Sequence, residues 1–218
     1  MSELLICPSM MCADFNNLAS TVRELDEAGT DIFHIDIMDG RFVPNFGMGL
    51  QDVQAIRAST NKLVDVHLMI EDPVNYIKLF TDLGVDIIYF HPEADLHPAR
   101  TIDLIHKNGV KAGIAINPGT SIETIKSLLP ITDYVMVMTV NPGFSGQKYL
   151  SYIDEKIEDL SKLFSKYDYQ IMVDGAISPE RIKTLNEIGV TGFVLGTSAL
   201  FGKSEGYQEL IQNFKQTV

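Results

Sequence analysis

The sequence predicts an α/β protein folded as a (β/α)8 TIM barrel, and two observations on its 218 residues support this prediction. Eight apolar segments rich in β-branched residues recur about every 20 to 35 residues, as buried strands would. Between them lie segments with one apolar stripe at helical spacing. Eight alternating units favour a barrel of parallel strands covered by helices, with a doubly wound open sheet as the lesser alternative.

The predicted elements follow one another without a linker or a low-complexity tract. In chain order, the strand segments are LLICPSM, DIFHIDIM, KLVDVHLM, DIIYFHPE, KAGIAIN, DYVMVMTV, YQIMVDG and GFVLGTS. Typical helical stripes are Leu18, Val22 and Leu25; Ile153, Ile157 and Leu160; and Ile182, Leu185 and Ile188. Four predicted helices end at a glycine that suits a left-handed cap, at Gly29, Gly84, Gly109 and Gly189. We therefore expect one catalytic domain spanning residues 1–218.

Composition and charge exclude several classes of protein. A hydrophobic content of 45% is ample for a full core. The formal net charge of −12 opposes binding to nucleic acid or to an anionic membrane surface. No apolar stretch reaches the ~20 residues that cross a bilayer, and the N-terminus lacks the pattern of a signal peptide. With only Cys7 and Cys12 as cysteines, the sequence predicts a cytoplasmic protein with reduced thiols.

Four side chains on the predicted strands are able to share one metal ion. His34 and Asp36 are two residues apart on one strand, so they point to the same face, while His67 and Asp174 come from other strands. One strand histidine alone is more often structural, but four such groups at equivalent strand ends indicate a site, because catalytic groups of barrels project there. Nitrogen and carboxylate ligands suit zinc, manganese, iron(II) or cobalt, with magnesium less favoured.

Glycine-rich segments follow predicted strands six, seven and eight. They are residues 141–147, which read NPGFSGQ, then Gly175, and then Gly196 with Thr197 and Ser198. Barrels often bind phosphate with such loops, because main-chain N–H groups approach an oxyanion unhindered there. We therefore predict a phosphorylated substrate. Phe144 lies between two glycines and either closes over the substrate as a lid or anchors its loop.

Three methionines and one histidine near strand ends have two interpretations each. Met38, Met69 and Met138 are usual core filling, or they form an uncharged wall of the substrate pocket. His91 either contacts the substrate or bonds to the neighbouring Glu93.

Motifs across nearly the whole chain carry a resemblance to a known family. HIDIMDGRFVPNFGMG, VDVHLMIEDP, INPGTS, MTVNPGFSGQKY, VDGA and GTSALF resemble, in this order, the ribulose-phosphate 3-epimerase family, whose fold is a (β/α)8 barrel of the ribulose-phosphate-binding type. The resemblance implies a homo-oligomer, a divalent metal ion held by His34, Asp36, His67 and Asp174, and Asp36 and Asp174 as the catalytic acid/base pair. The substrate contacts that it implies are Ser9, His67, Gly143, Phe144, Ser145, Gly146, Gly175, Ala176, Gly196 and Thr197.

The implied reaction explains why two carboxyl groups are needed. Inverting a carbon next to a ketone requires a base on one face and an acid on the other. A divalent ion stabilises the enediolate as a Lewis acid, so no organic cofactor is expected. We expect Asp36 to act as base and Asp174 as acid in one direction, with the roles exchanged in reverse.

The chain departs from the family's usual pentulose-phosphate pattern at several loops. It has Met10-Met11-Cys12 after the first strand, His91-Pro92-Glu93 after the fourth, Ala176 in place of a second glycine, and Thr197 after Gly196. These variants resemble the D-allulose-6-phosphate 3-epimerase branch, so D-allulose 6-phosphate is the favoured substrate. D-Ribulose 5-phosphate is the alternative.

Two other classes remain as competitors. A phosphate-binding decarboxylase or aldolase on this fold would place a lysine beside its strand-end acids, and none of these strand ends carries one. A sugar-phosphate sensor without activity would have little need of both carboxylates with both histidines.

Overall fold

Eight parallel strands form a nearly closed barrel in the computed structural model, which describes residues 4–163 and 166–217. Each strand pairs in parallel with the next from β2 to β8, and β8 pairs with β1. The strands are β1 Leu5–Pro8, β2 Ile32–Met38, β3 Leu63–Met69, β4 Ile87–Phe90, β5 Lys111–Ile116, β6 Tyr134–Met138, β7 Gln170–Asp174 and β8 Gly192–Leu195.

The seam between β1 and β2 is bridged at two points. The main-chain N–H of Asp31 donates to the carbonyl oxygen of Ile6 at 3.1 Å, and Ser9 and His34 form an isolated parallel bridge. Sequential neighbours all around the sheet confirm the predicted TIM barrel, because a doubly wound sheet would reverse its strand order.

One α-helix follows each strand, as the alternating pattern predicts. The helices are α1 Leu18–Glu27, α2 Leu50–Arg57, α3 Ile77–Asp82, α4 Pro98–Lys107, α5 Ile122–Ile125, α6 Asp154–Leu163, α7 Pro179–Glu187 and α8 Tyr207–Gln216. Short 3-10 helices occupy Met10–Cys12, Phe15–Asn17, Pro73–Asn75, Pro92–Ala94, Leu129–Ile131 and Ser151–Ile153. In the part of the chain that the structure describes, no helix combines the length and the apolar character needed to cross a bilayer.

The apolar stripes of the helices pack on the outer face of the barrel. The predicted stripe residues of α1, and Ile157 and Leu160 of α6, are buried, whereas Ile188 lies just beyond the end of α7 and is half-buried. The four predicted glycine caps, Gly29, Gly84, Gly109 and Gly189, all have positive φ angles. This agreement is expected, because a left-handed residue ends a helix at little cost only when it lacks a β-carbon.

Two strands end earlier than their apolar segments suggest. β1 stops at Pro8, and a 3-10 helix begins at Met10; β4 stops at Phe90, directly before His91. Pro92 starts the 3-10 helix after β4, and because proline has no N–H to donate to a ladder, the strand cannot continue through it. His91 therefore belongs to a loop.

The core has two layers, one between strands and helices and one inside the barrel. They are separate because successive side chains of a strand point to opposite faces. On β2, Phe33 and Ile35 join the larger cluster between strands and helices, whereas Ile32 joins a smaller cluster inside the barrel. Because both faces of every strand are covered, the strands read as continuous apolar runs. Inward-facing polar residues near the carboxyl ends interrupt the inner layer, and they define the candidate site.

Candidate active site

The carboxyl ends of β2, β3 and β7 bring the four predicted metal ligands together. His34 and Asp36 share the inner face of β2, and Asp36 lies directly beside His67 in the β2–β3 register. Asp174 is the last residue of β7. One potential ligand atom from each of His34, Asp36, His67 and Asp174 lies within 4.8 Å of the others. The structure thus forms the cluster that the sequence predicts.

The spacing of these atoms fits a divalent metal ion. Oδ1 of Asp36 lies 3.3 Å from Nε2 of His34 and 3.4 Å from Nδ1 of His67, and Nδ1 of His67 lies 3.7 Å from Oδ2 of Asp174. Atoms bound tetrahedrally to one ion at about 2.1 Å are about 3.4 Å apart. The two histidine nitrogens and Oδ1 of Asp36 are buried and have no hydrogen-bond partner, so a shared cation would satisfy all three.

Burial and charge act against each other within the cluster. Burial alone would lower the pKa of His34, but the carboxylates of Asp65 and Asp36 outweigh it and raise that pKa well above its usual range. Burial would raise the pKa of Asp36, yet His34 and His67 lower it. Burial and the negative charge of Asp36 raise the pKa of Asp174. The pKa of Asp174 therefore lies above that of Asp36, and the two carboxyl groups differ in how readily they give up a proton.

Each histidine of the cluster has a polar partner behind it. Nδ1 of His34 lies 2.6 Å from Oδ1 of Asp65, which is fully buried on β3. Nε2 of His67 lies 2.9 Å from Nε2 of His91. His91 is fully buried, is not among the described residues that line the substrate pocket, and sits behind His67 because β4 ends before it. Of its two interpretations, this position favours the contact with Glu93, whose Oε2 lies 3.6 Å from Nδ1 of His91.

A pocket opens above the two carboxylates and is lined by the predicted loops. Asp36 and Asp174 reach its floor, whereas His34 and His67 are fully buried beneath. The other predicted contact residues that line it are Ser9, Gly143, Phe144, Ser145, Gly146, Gly175, Ala176, Gly196 and Thr197. No lysine is among the described residues that line this pocket.

The three predicted methionines are both core residues and part of the pocket wall. Met38, Met69 and Met138 are almost fully buried, and all three line the pocket. Met38 and Met69 pack with Val43, whereas Met138 belongs to the cluster inside the barrel. They form an uncharged wall that is part of the core.

The loop after β6 presents Phe144 to the solvent side of the pocket. The Phe144 side chain is 51% exposed, so it does not anchor the loop in the core. The loop is held instead by Gln147, whose Nε2 donates to the carbonyl oxygens of Asn141 and Phe144, and by Asn45, whose Nδ2 donates to the carbonyl oxygen of Gly143 at 2.7 Å.

The turn after β7 needs an unusual backbone at two consecutive residues. Gly175 has φ +124°, and a β-carbon there would lie 2.5 Å from Cγ2 of Val140 and 2.8 Å from its main-chain nitrogen. Ala176 has φ +54°, so it keeps the left-handed conformation that a glycine would adopt. The replacement of a second glycine by alanine thus leaves the main chain in a left-handed turn.

Two residues of the site, Asp65 and Cys12, are not among the predicted site residues. Asp65 is two residues before His67 on β3, so the alternation that linked His34 with Asp36 also predicts that Asp65 faces the barrel interior. Cys12 lines the pocket near Gly196, where a β-carbon on the glycine would lie 3.3 Å from its sulfur. Its signal in the sequence is its place in Met10-Met11-Cys12, one of the loop variants after the first strand.

Similar folds occur among solved structures at low sequence identity. KGPDC from Streptococcus mutans has a TM-score of 0.75 with 11% identity, covering 99% of this chain and 97% of that one. 3-Hexulose-6-phosphate synthase from Salmonella typhimurium has a TM-score of 0.72 with 15% identity, covering 98% of both chains. At such identities, the likeness supports the barrel fold and nothing finer.

Sequence comparisons define the family. A ribulose-phosphate 3-epimerase from Bacillus subtilis is 41% identical over 203 residues, which cover 92% of this chain and 93% of the relative. The chloroplastic ribulose-5-phosphate-3-epimerase of Arabidopsis thaliana is 38% identical over 218 residues, covering 98% of this chain and 77% of the relative. The model of the ribulose-phosphate 3 epimerase family matches residues 5–201, and the chain therefore belongs to this family of isomerases.

Proposed function

We propose that this protein interconverts D-ribulose 5-phosphate and D-xylulose 5-phosphate by inverting the configuration at C3. The main observation behind this proposal is that two carboxyl groups, those of Asp36 and Asp174, lie on the floor of one pocket, both next to His67. Two such groups supply the base and the acid that inversion next to a carbonyl requires.

The surroundings of the two carboxyl groups support their roles as an acid/base pair. Oγ of Ser9 donates to Oδ2 of Asp36 at 2.9 Å and holds that carboxylate in one orientation. The hydroxyl of Thr139 donates to the carbonyl oxygens of Asp174 and Gly175, which fixes the main chain at the end of β7. In one direction Asp36 removes the C3 proton and Asp174 returns one on the other face, and the roles exchange in reverse.

His34, Asp36, His67 and Asp174 would hold one divalent ion of borderline character, such as zinc, manganese, iron(II) or cobalt. When bound, such an ion supplies Lewis-acid stabilisation of the negative charge that develops on the substrate oxygens. Neither His34 nor His67 is among the described residues that line the pocket, so their contribution would be to hold the ion. His67 would therefore act through the ion more than by direct substrate contact.

The glycine-rich rim would bind the substrate phosphate. Residues 143–146, 175–176 and 196–197 line the pocket, and apart from Phe144 their side chains are small, which would leave main-chain N–H groups accessible to an oxyanion. Local donors of this kind are needed because the protein carries a net charge of −12, which repels an anionic substrate at long range. Phe144 would cover the bound substrate from the solvent side.

The choice of a pentulose phosphate rests on the relatives. Those from Bacillus subtilis, Synechocystis and Arabidopsis thaliana are named as ribulose-phosphate epimerases. This naming favours D-ribulose 5-phosphate, the alternative in the sequence analysis, and does not support the expected preference for D-allulose 6-phosphate. The loop variants at Cys12 and Thr197 line the pocket, but the chain that carries them is 38 to 41% identical to relatives with the pentulose name, so the variants are weak indicators of a longer substrate.

Side-by-side kinetics test the proposal. The metal-loaded protein should turn over D-ribulose 5-phosphate with a kcat/KM at least about tenfold above that for D-allulose 6-phosphate, equivalent to about 1.4 kcal/mol in transition-state binding. A chelator should abolish both activities. The opposite preference would return the assignment to the hexulose phosphate, and turnover of neither would refute the epimerase proposal.

Hydrogen exchange at C3 in D2O tests the two-carboxylate mechanism. Asp36→Asn and Asp174→Asn should each lose epimerisation by about 10²- to 10⁴-fold. Each variant should still exchange the C3 hydrogen of one epimer, and the two variants should differ in which epimer they exchange. Asp103→Asn, an exposed carboxylate on α4, is the matched control, and the metal content of each variant is measured. Exchange of both epimers by both variants would exclude a two-base mechanism.

A further inference from the structure

A chain of polar contacts runs from the buried His67 towards the surface, away from the pocket. Nε2 of His67 lies 2.9 Å from Nε2 of His91, and Nδ1 of His91 lies 3.6 Å from Oε2 of Glu93. The last contact is longer than a hydrogen bond, but it directs a carboxylate at a fully buried imidazole nitrogen. We propose that Glu93, acting through His91, sets the tautomer of His67 so that its Nδ1 is free to bind the metal ion.

The position of Glu93 is fixed by its other oxygen. Oε1 accepts hydrogen bonds from the main-chain N–H of Asn117 at 3.0 Å and from the hydroxyl of Thr120. This leaves Oε2 directed at Nδ1 of His91, which has no hydrogen-bond partner. The ring of Phe42 packs on His91 with ring centroids 4.7 Å apart and limits its rotation. Both ends of the contact are therefore held.

The number of donors and acceptors on the two imidazole rings determines which nitrogen of His67 and of His91 carries the proton. A neutral imidazole has one N–H donor and one bare acceptor nitrogen, so one of the two facing Nε2 atoms must donate to the other. The negative charge of Glu93 favours the proton of His91 on Nδ1, and Nε2 of His91 is then the acceptor. Nε2 of His67 must donate to it, and Nδ1 of His67 is left with a bare lone pair.

That lone pair is where a cation is needed. Nδ1 of His67 faces Oδ1 of Asp36 at 3.4 Å and Oδ2 of Asp174 at 3.7 Å. A lone pair and two carboxylate oxygens repel one another unless a positive ion or a proton lies among them, and a divalent ion would satisfy all three atoms at once. At His34 a single residue does what His91 and Glu93 do at His67. Asp65 lies directly at Nδ1 of His34, so the proton is held there and Nε2 keeps the lone pair that faces the metal site. Glu93 and His91 are thus positioning residues for His67, as Asp65 is for His34.

The substitution Glu93→Gln tests the inference by reversing the polarity at one atom. The donors from Asn117 and Thr120 hold the amide oxygen at the Oε1 position, so the amide NH2 faces Nδ1 of His91. His91 then carries its proton on Nε2 and donates it to His67, whose proton moves to Nδ1, the atom that faces the metal site. Glu93 is a surface residue whose side chain is 23% exposed, and the replacement has the same shape.

Two measurements on full-length protein decide the outcome. Zinc affinity, measured by competition with a chromophoric chelator, should fall about 10- to 100-fold in Glu93→Gln. Two-bond ¹H–¹⁵N correlation spectra should show His91 protonated on Nδ1 in the unaltered protein and on Nε2 in the variant. Glu71→Gln, which removes one negative charge just after β3, should leave zinc affinity and both spectra unchanged.

The inference rests on the proposed metal site, and the experiment separates the two. If the unaltered protein does not bind zinc, the metal site itself is refuted, and the role of Glu93 with it. If both proteins bind zinc equally, or if His91 carries its proton on Nε2 in the unaltered protein, the role of Glu93 alone is refuted. His91→Gln retains a side-chain acceptor for Nε2 of His67, so it should bind zinc more tightly than His91→Leu, and equal affinities would also contradict the relay.

Discussion

Replacing Gly175 with alanine should destabilise the protein and disturb the active site together. The main chain has φ +124° there, a region that costs a residue with a β-carbon about 1 to 3 kcal/mol. The new β-carbon would also lie 2.5 Å from Cγ2 and 2.8 Å from the main-chain nitrogen of Val140. Overpacking of this kind costs about 1 to 3 kcal/mol more, so we expect a total loss of about 2 to 6 kcal/mol.

Relaxation of the surroundings is limited. Val140 is buried, and the preceding Thr139 is hydrogen-bonded through its N–H and its hydroxyl to the carbonyl oxygen of Asp174. The strain is therefore expected to displace Asp174, which directly precedes Gly175. A displacement of about 1 Å in a reacting group lowers kcat/KM by about 10²-fold.

The matched control is Ala176→Gly at the next position. It removes the cost of a left-handed alanine, about 1 to 2 kcal/mol, and adds freedom to the unfolded chain worth about 0.4 to 1 kcal/mol. The two effects partly cancel, so its free energy of unfolding should lie between that of the unaltered protein and about 1.6 kcal/mol above it. Urea unfolding followed by circular dichroism measures both variants, and the melting temperature of Gly175→Ala should fall by at least about 4 °C. The reasoning is refuted if Gly175→Ala loses less than about 0.5 kcal/mol, or if Ala176→Gly loses as much as Gly175→Ala.

Two further predictions concern the loop after β6 and the acid stability. Phe144→Ala should lower kcat/KM by about tenfold without changing the melting temperature, because the exposed ring covers substrate and supports no core; an unchanged kcat/KM would exclude a lid. Burial would raise the pKa of Asp133, but Lys111 and His106 lower it. The ionised carboxylate therefore adds about 1 kcal/mol to the free energy of unfolding. This contribution is present above the unfolded pKa of about 3.9 and is lost as the pH falls through the lower pKa of the folded protein. Asp133→Asn should therefore be less stable than the unaltered protein at pH 7 and equally stable at pH 2 by urea unfolding, and an equal deficit at both pH values would contradict the ion-pair origin.

Local patterns in the sequence determined the fold and the centre of the site. Apolar segments at regular spacing, helical stripes such as Val22 with Leu25, and glycine caps such as Gly29 depend on neighbours within a few residues. The two-residue spacing of His34 and Asp36 placed both on one face of β2 for the same reason. The order of the motifs then indicated the family, because the motifs extend along nearly the whole chain.

Only the tertiary structure decided which groups meet across strands. His91 follows a different strand from His67, and its place behind that ligand depends on where β4 ends and on the curvature of the barrel. The pairing of Asp65 with His34 and the exposure of Phe144 likewise depend on distances between segments far apart in the chain. Periodicity assigns a side chain to a face, whereas contacts of 3 to 4 Å are set by the packing of the closed barrel.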